Sequence, residues 1–378
     1  MHKIIAHAGL SLILLLAGVT THAAEPASIK RASVLALSEK VADWQLAHLD
    51  PAGGISVARE ETRSARSWQQ GAFYVGLTEL ADRSASPRFR EAVLAHGRST
   101  NWQPGDRVYH ADDHIIGASY LWAARNGAGP QAIVPLRQRF DEILTTPSKA
   151  GLLVDPEAPC WDRWCWCDAL FMAPQVWVGL TAATHDPRYA AFSHAEFKAT
   201  TDLLYDRGEH LYYRDSRFFD QRDAQGRKLF WSRGNGWVFA GIARLLSVLP
   251  ADDPERPGYE KLFREMATKL RGLQKADGYW SPSLLVVEGT PPESSGTGFF
   301  VYGMAWGIKA GLLDRQTYEP VVRRGWSALV KAVHADGMLG SVQQVSDRPD
   351  QVSSNDTQFY GVGAFLLAGS AIIDLNLK

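Results

Sequence analysis

Arg233–Leu246 reads RGNGWVFAGIARLL, and this stretch decides the fold. After a polar opening it is apolar on nearly every face of a 3.6-residue period, the mark of a helix surrounded by protein rather than by water. The same kind of segment recurs: WQQGAFYVGLTEL from Trp68, DDHIIGASYLWAA from Asp112, WCDALFMAPQVWVGL from Trp166, SSGTGFFVYGMAWGI from Ser294 and NDTQFYGVGAFLLAGSAI from Asn355. Gly71, Gly117, Leu170, Gly236, Gly298 and Tyr360 serve as anchors; their spacing, roughly 46 to 66 residues, suits a pair of helices plus a loop.

Between these runs lie charged segments with amphipathic spacing, at positions 29–49, 87–96, 130–145, 187–204, 257–274 and 317–333. Several open on Pro, which fits the first helical turn. Helices apolar all round are buried, and amphipathic ones keep one wet face. Their alternation predicts an all-α fold, an inner ring inside an outer ring: an (α/α)6 barrel formed as a single domain over residues 25–378. Short hairpins are expected only at Leu211–Phe219 and Trp280–Val287.

Residues 1–24 have a basic start at His2 and Lys3, an apolar stretch and a close of small residues at Ala23 and Ala24. This is the pattern of a removable secretory signal peptide. Its apolar run falls short of the ~20 residues of a membrane span, so the expected product is exported to the periplasm or the cell exterior and is free of the membrane after cleavage. With 40 Lys+Arg against 41 Asp+Glu, the chain offers no global field for nucleic acid. The three cysteines, Cys160, Cys165 and Cys167, fall in one short stretch. A disulfide from Cys160 to Cys165 or Cys167 is open to them, but packing as small apolar fillers is the preferred reading, and without a fourth ligand nearby no metal site is expected.

The inner helices of such a toroid run the same way, so their N-terminal ends meet at one mouth. Trp68, Asp112, Asp113, His114, Trp166, Asp168, Arg233, Trp237, Ser295 and Thr297 gather there, with Trp231 just ahead of Arg233. Ser and Asp at these places also serve as helix caps, whereas Trp and Arg have no capping role. The chain carries 13 Trp, and indole faces beside carboxylates and a guanidinium suit a sugar: C–H faces stack on rings, and Arg pairs with a uronate carboxylate. Asp168 and Asp113 are the natural acid pair, Asp112 being the weaker half of its dipeptide, and the Trp and Cys before Asp168 should desolvate it and keep it protonated.

The motifs HADDHIIGASYLW, WCWCDALFMAP, FWSRGNGWVFAGIARLL, SSGTGFFVYGMAWGI and DTQFYGVGAFLLAGS resemble the unsaturated glucuronyl and rhamnogalacturonyl hydrolases of glycoside hydrolase families 88 and 105. The resemblance covers most of residues 25–378. It implies release of a 4,5-unsaturated uronic acid from the non-reducing end of lyase-generated oligosaccharides, such as those of pectin degradation, by hydration of the enol ether and without a cofactor. Asp168 is then the proton donor and the base for water, Asp113 the second acid, Trp231 and Trp237 the stacking rings, and Arg233 either the carboxylate partner or the group that orients the water. In LYYRDSRFF, Arg214 stands where family members often carry His, which touches the leaving-sugar subsite. Rival readings are an inverting glycosidase or a polysaccharide lyase on the same toroid, or a secreted sugar-binding protein without catalysis. Oligomeric state is not encoded in any motif found.

Overall fold

The computed structural model describes residues 29–49, 64–155, 157, 158 and 160–377; the leader expected at residues 1–24 lies outside them. The inner ring consists of α2 (Trp68–Ala81), α4 (Gly117–Ala123), the pair α6 (Ala169–Met172) and α7 (Pro174–Thr184), α9 (Ser232–Val248), α11 (Ser294–Lys309) and α13 (Phe359–Leu375). The outer ring holds α1 (Arg31–Ala47), α3 (Arg88–Ser99), α5 (Val134–Thr145), α8 (Pro187–Leu204), α10 (Arg256–Gly272) and α12 (Arg315–Lys331). Contacts run from α13 to α2, α4, α7, α9, α11 and back to α13, which closes the ring. The double toroid expected from the alternation of segments is therefore present.

Local chemistry accounts for the boundaries. Asp186 and Asp314 cap α8 and α12 by accepting from the backbone N–H groups of Arg188 and Thr317. The third inner helix is split at Pro174, which has no N–H to donate back into the preceding turn. Almost every residue of α13 is buried, as its uniform apolarity requires. The inner helices approach so closely that glycine is compulsory at one crossing: a Cβ on Gly76 of α2 would lie 2.4 Å from the carbonyl oxygen of Gly363 on α13.

The hairpin expectations need correction. Leu211–Tyr212 (β2) pairs antiparallel with Tyr205–Asp206 (β1), but the rest of that segment turns into a short 3-10 helix at Ser216–Phe218. Trp280–Val287 forms no strand. It is fastened to the approach to α9 instead: Ser232 donates its N–H to Pro282 O, and Leu284 donates to Phe230 O.

The two ends of the ring differ. Near the C-terminal end of α9, Arg244 donates to Gln175 in the first turn of α7 and, at 3.0 Å, to Glu79 near the C-terminal end of α2. Arg83 bridges Glu79 to Asp374 of α13. Guanidinium groups suit this end, where the helix dipoles are negative, and the network ties the four inner helices α2, α7, α9 and α13 together below the core. The opposite end is open.

Candidate active site

The open mouth contains a cavity of about 370 Å³ lined by Trp68, Arg107, His110, Asp112, Trp161, Trp166, Asp168, Met172, Arg214, Arg217, Trp231 and the loop Val345–Asp347. It is built from the segments that precede the inner helices, as the parallel orientation of those helices dictates. The size suits one or two sugar rings, and ligand sites of this kind ordinarily enclose several hundred Å³.

Asp168 stands at the N-terminus of α6 without capping it, so its carboxylate is free for other work. The Cys167 thiol lies 3.4 Å from Asp168 Oδ2, and the Cys167 N–H donates to Arg214 O at 2.8 Å, which ties this turn to the loop after β2. Burial raises the pKa of Asp168, opposed by the positive charges of Arg214 and Arg233. Asp112 sits in the 3-10 turn Ala111–Asp113. Burial pushes its carboxyl up to about 7, Arg107 opposes that, and the neighbouring charges of Asp168 and Asp113 add to it. Two carboxyl groups that share a desolvated cavity titrate as a pair and retain a proton near neutrality. His110 is pressed the other way, down to about 2, by burial and by Arg107, so it is neutral.

The walls are aromatic. Trp166 packs against His110 with ring centroids 4.7 Å apart and meets Trp161 edge-on at 5.5 Å. On the opposite side a stack runs through the mouth: Trp68 lies parallel to Tyr360 at 5.1 Å, the Arg233 guanidinium sits 4.6 Å from Tyr360, and Trp231 follows at 4.4 Å. Trp231 Nε1 is anchored by donation to Gln343 Oε1 at 3.0 Å, which fixes the plane of its ring.

The structure revises several site expectations. Asp113 does not face the cavity: its Oδ1 receives Arg107 Nη2 at 2.6 Å and Nε at 3.1 Å, and its Oδ2 receives the Arg107 N–H at 2.7 Å. Asp112 is the member of the dipeptide that lines it. Only one of two adjacent side chains in a tight turn can point inward, and Arg107 decides which. His114 is buried below, bonded to Val108 O and packed edge-on against Phe140. Trp237 is a core residue among Phe171, Phe299 and Tyr360. Ser295 donates to Glu293, and Thr297 accepts from the Trp280 N–H, so both hold loops. Arg233 is 1% exposed and gives both terminal nitrogens to the carbonyls of Gln343 and Gln344, at 2.7 and 2.9 Å. Arg233 is therefore a strut beneath the site, not a wall of it. Cys160 and Cys165 form a disulfide rather than acting as apolar fillers, and Cys167 remains a buried thiol.

The residues brought together as expected are Trp68, Asp112, Trp166, Asp168, Arg214 and Trp231. Missed were Arg107, His110, Trp161, Met172, Arg217 and the loop Val345–Asp347. His110 opens the motif HADDHIIGASYLW, Arg217 lies within LYYRDSRFF, and Trp161 precedes WCWCDALFMAP by three positions, so membership of or nearness to a motif was their available signal. The 345–347 loop carries no periodicity or motif.

A carboxyl pair in a Trp-walled, Arg-bearing cavity at the mouth of an (α/α)6 toroid is an arrangement suited to a glycoside hydrolase. The chain belongs to glycosyl hydrolase family 88, whose model matches residues 37–375. It is 40% identical over 353 residues to the unsaturated 3S-rhamnoglycuronyl hydrolase of Alteromonas sp. (strain LOR), covering 90% of this chain and 86% of the relative. It is 36% identical over 347 residues to the protein of the same name from Formosa agariphila, with 89% of each chain covered. Among solved structures, a glycosyl hydrolase family 88 protein from Bacteroides vulgatus superimposes with a TM-score of 0.81 at 26% identity, over 92% of this chain and all of that one.

Proposed function

We propose that this hydrolase removes a 4,5-unsaturated uronic acid from the non-reducing end of oligosaccharides left by a polysaccharide lyase, with a rhamnose-type sugar as the leaving group. The observation that carries the reading is the pair Asp112 and Asp168, both raised by burial and both facing one aromatic cavity. The names of the two relatives support the rhamnose-linked uronide. Pectin-type oligosaccharides, also rhamnose-containing, fall within the same substrate class. The apolar leader at residues 1–24 and the Cys160–Cys165 disulfide support export to an oxidising compartment.

The chemistry follows from the substrate. An enol ether is polarised toward C4, so a carboxylic acid there delivers a proton to C4 while water adds at C5 and gives up a proton to the resulting carboxylate. Asp168 fits both roles in sequence, acid then base, and Asp112 limits the charge the pair can bear and so keeps the proton available. The C5 hemiketal opens to a ketone, and the hemiacetal left at C1 releases the leaving sugar. Trp166 and Trp231 bound the cavity and offer ring faces to the sugar.

The test follows the ultraviolet absorbance of the conjugated enol acid in an unsaturated rhamnose-linked disaccharide. Loss of absorbance supports the hydrolase. A gain on intact polymer indicates a lyase, and measurable binding with no change indicates a sugar-binding protein. Asp168→Asn should lower turnover by about 10³-fold or more while binding survives; near-normal turnover would remove Asp168 from the proposed role.

A further inference from the structure

Resting on the reading above, we infer that Arg214, and not Arg233, receives the carboxylate of the unsaturated uronic acid and sets the preference for an acidic over a neutral sugar. Arg233 does not line the cavity: it is 1% exposed, sandwiched between Trp231 and Tyr360, and donates both terminal nitrogens to backbone carbonyls, and its unpartnered Nε is buried with it. Three other guanidinium groups line the cavity, Arg107, Arg214 and Arg217. Two of them are committed through their Nε and Nη2 edges. Arg107 grips Asp113 through both nitrogens, and Arg217 grips Asp215 in the same way while reaching Asp347 at 2.9 Å.

Arg214 differs. Its Nη1 donates to Asp215 Oδ2 at 2.7 Å, but that carboxylate is shared with Arg217. Its Nε has no hydrogen-bond partner and stands 3.7 Å from Asp168 Oδ2, beyond hydrogen-bond reach. When Asp168 carries the proton that the reaction requires, Arg214 is left with half a counter-charge in a desolvated cavity. A substrate carboxylate supplies the missing half, and Arg is suited to it by its planar donor fork. The Arg214 guanidinium also lies 5.5 Å over the Trp161 ring, which holds the group in place without using its donors. Proximity to Asp168 places such a carboxylate next to the proton donor, as C5 and C4 of the same ring demand.

The experiment compares kcat/KM for an unsaturated uronyl disaccharide and its methyl ester, in the wild-type enzyme and in Arg214→Gln, Arg214→Lys and Arg217→Gln. The wild type should prefer the acid, and Arg214→Gln should reduce that preference by about 10–100-fold, mainly through KM for the acid. Arg214→Lys, which keeps the charge and loses the fork, should retain part of the preference, and Arg217→Gln should retain most of it. Equal loss on both substrates in Arg214→Gln, or loss of the preference in Arg217→Gln instead, would overturn the assignment. A wild-type enzyme that consumes neither disaccharide would refute the hydrolase reading itself, a distinguishable outcome.

Discussion

Arg107 and Asp113 are joined by three hydrogen bonds, two from the guanidinium and one from the Arg107 N–H, and Gly105 packs beneath them, where a Cβ would come within 2.4 Å of Asp113 Cγ. This clamp turns Asp113 away from the cavity and leaves Asp112 facing it. Asp113→Asn should therefore cost stability, on the order of 1.5–3 kcal/mol for charge-assisted bonds, with a smaller effect on turnover. Asp112→Asn should do the reverse and lower kcat by at least about 100-fold. Thermal melts and steady-state kinetics on the two variants separate the roles.

The pH dependence of stability follows from the direction of the Asp112 shift. Its pKa rises on folding from the ordinary carboxyl range to about 7, so the folded state holds a proton that the unfolded state has lost. Stability associated with this group is fully present below about pH 4 and is lost as pH rises through about 7. Asp112→Asn, which is neutral at every pH, should melt together with the wild type near pH 4 and several degrees above it at pH 8. A melting difference independent of pH would show that the carboxyl is not perturbed. The alkaline limb of the wild-type rate profile should fall in the same region, because the carboxyl pair loses its proton there.

Cys167 is buried, and its thiol lies against Asp168 Oδ2. A donor to the ionised carboxylate lowers that group's pKa, so removing it should raise the pKa. Cys167→Ala should move the alkaline limb of the kcat profile upward by less than about one pH unit, a thiol being a weak donor, and Cys167→Ser should restore it. An unchanged profile in Cys167→Ala would confine the thiol to packing.

The Cys160–Cys165 disulfide closes a loop of sequence separation 5 that contains Trp161. For so short a loop, the entropy of the unfolded chain gives about 2 kcal/mol of stabilisation. Replacing both cysteines with Ser should cost roughly that amount in a denaturant titration. It should also raise KM, because Trp161, which packs on Trp166 and under Arg214, loses its tether.

Architecture was legible because it depends on pattern. Uniformly apolar runs such as Phe359–Leu375 have no alternative to burial, and the amphipathic segments between them require one wet face. Even the position of the site followed, since inner helices running one way bring Trp68, Asp112, Asp168 and Trp231 to one mouth. The errors have one physical source. Whether a side chain at that mouth faces the cavity depends on partners far away in the sequence: Arg107 turns Asp113 aside, the carbonyls of Gln343 and Gln344 consume Arg233, and Phe171, Phe299 and Tyr360 absorb Trp237.

What the sequence by itself determined was therefore the toroid, the mouth and Asp168 within it, because these rest on hydrophobic periodicity and on the local order of residues. Only the tertiary structure decided that Asp112 and not Asp113 joins Asp168, and that Arg214 and not Arg233 lines the cavity. Those outcomes are set by competition for hydrogen bonds among groups brought together by folding, and a competition of that kind leaves no periodic trace along the chain.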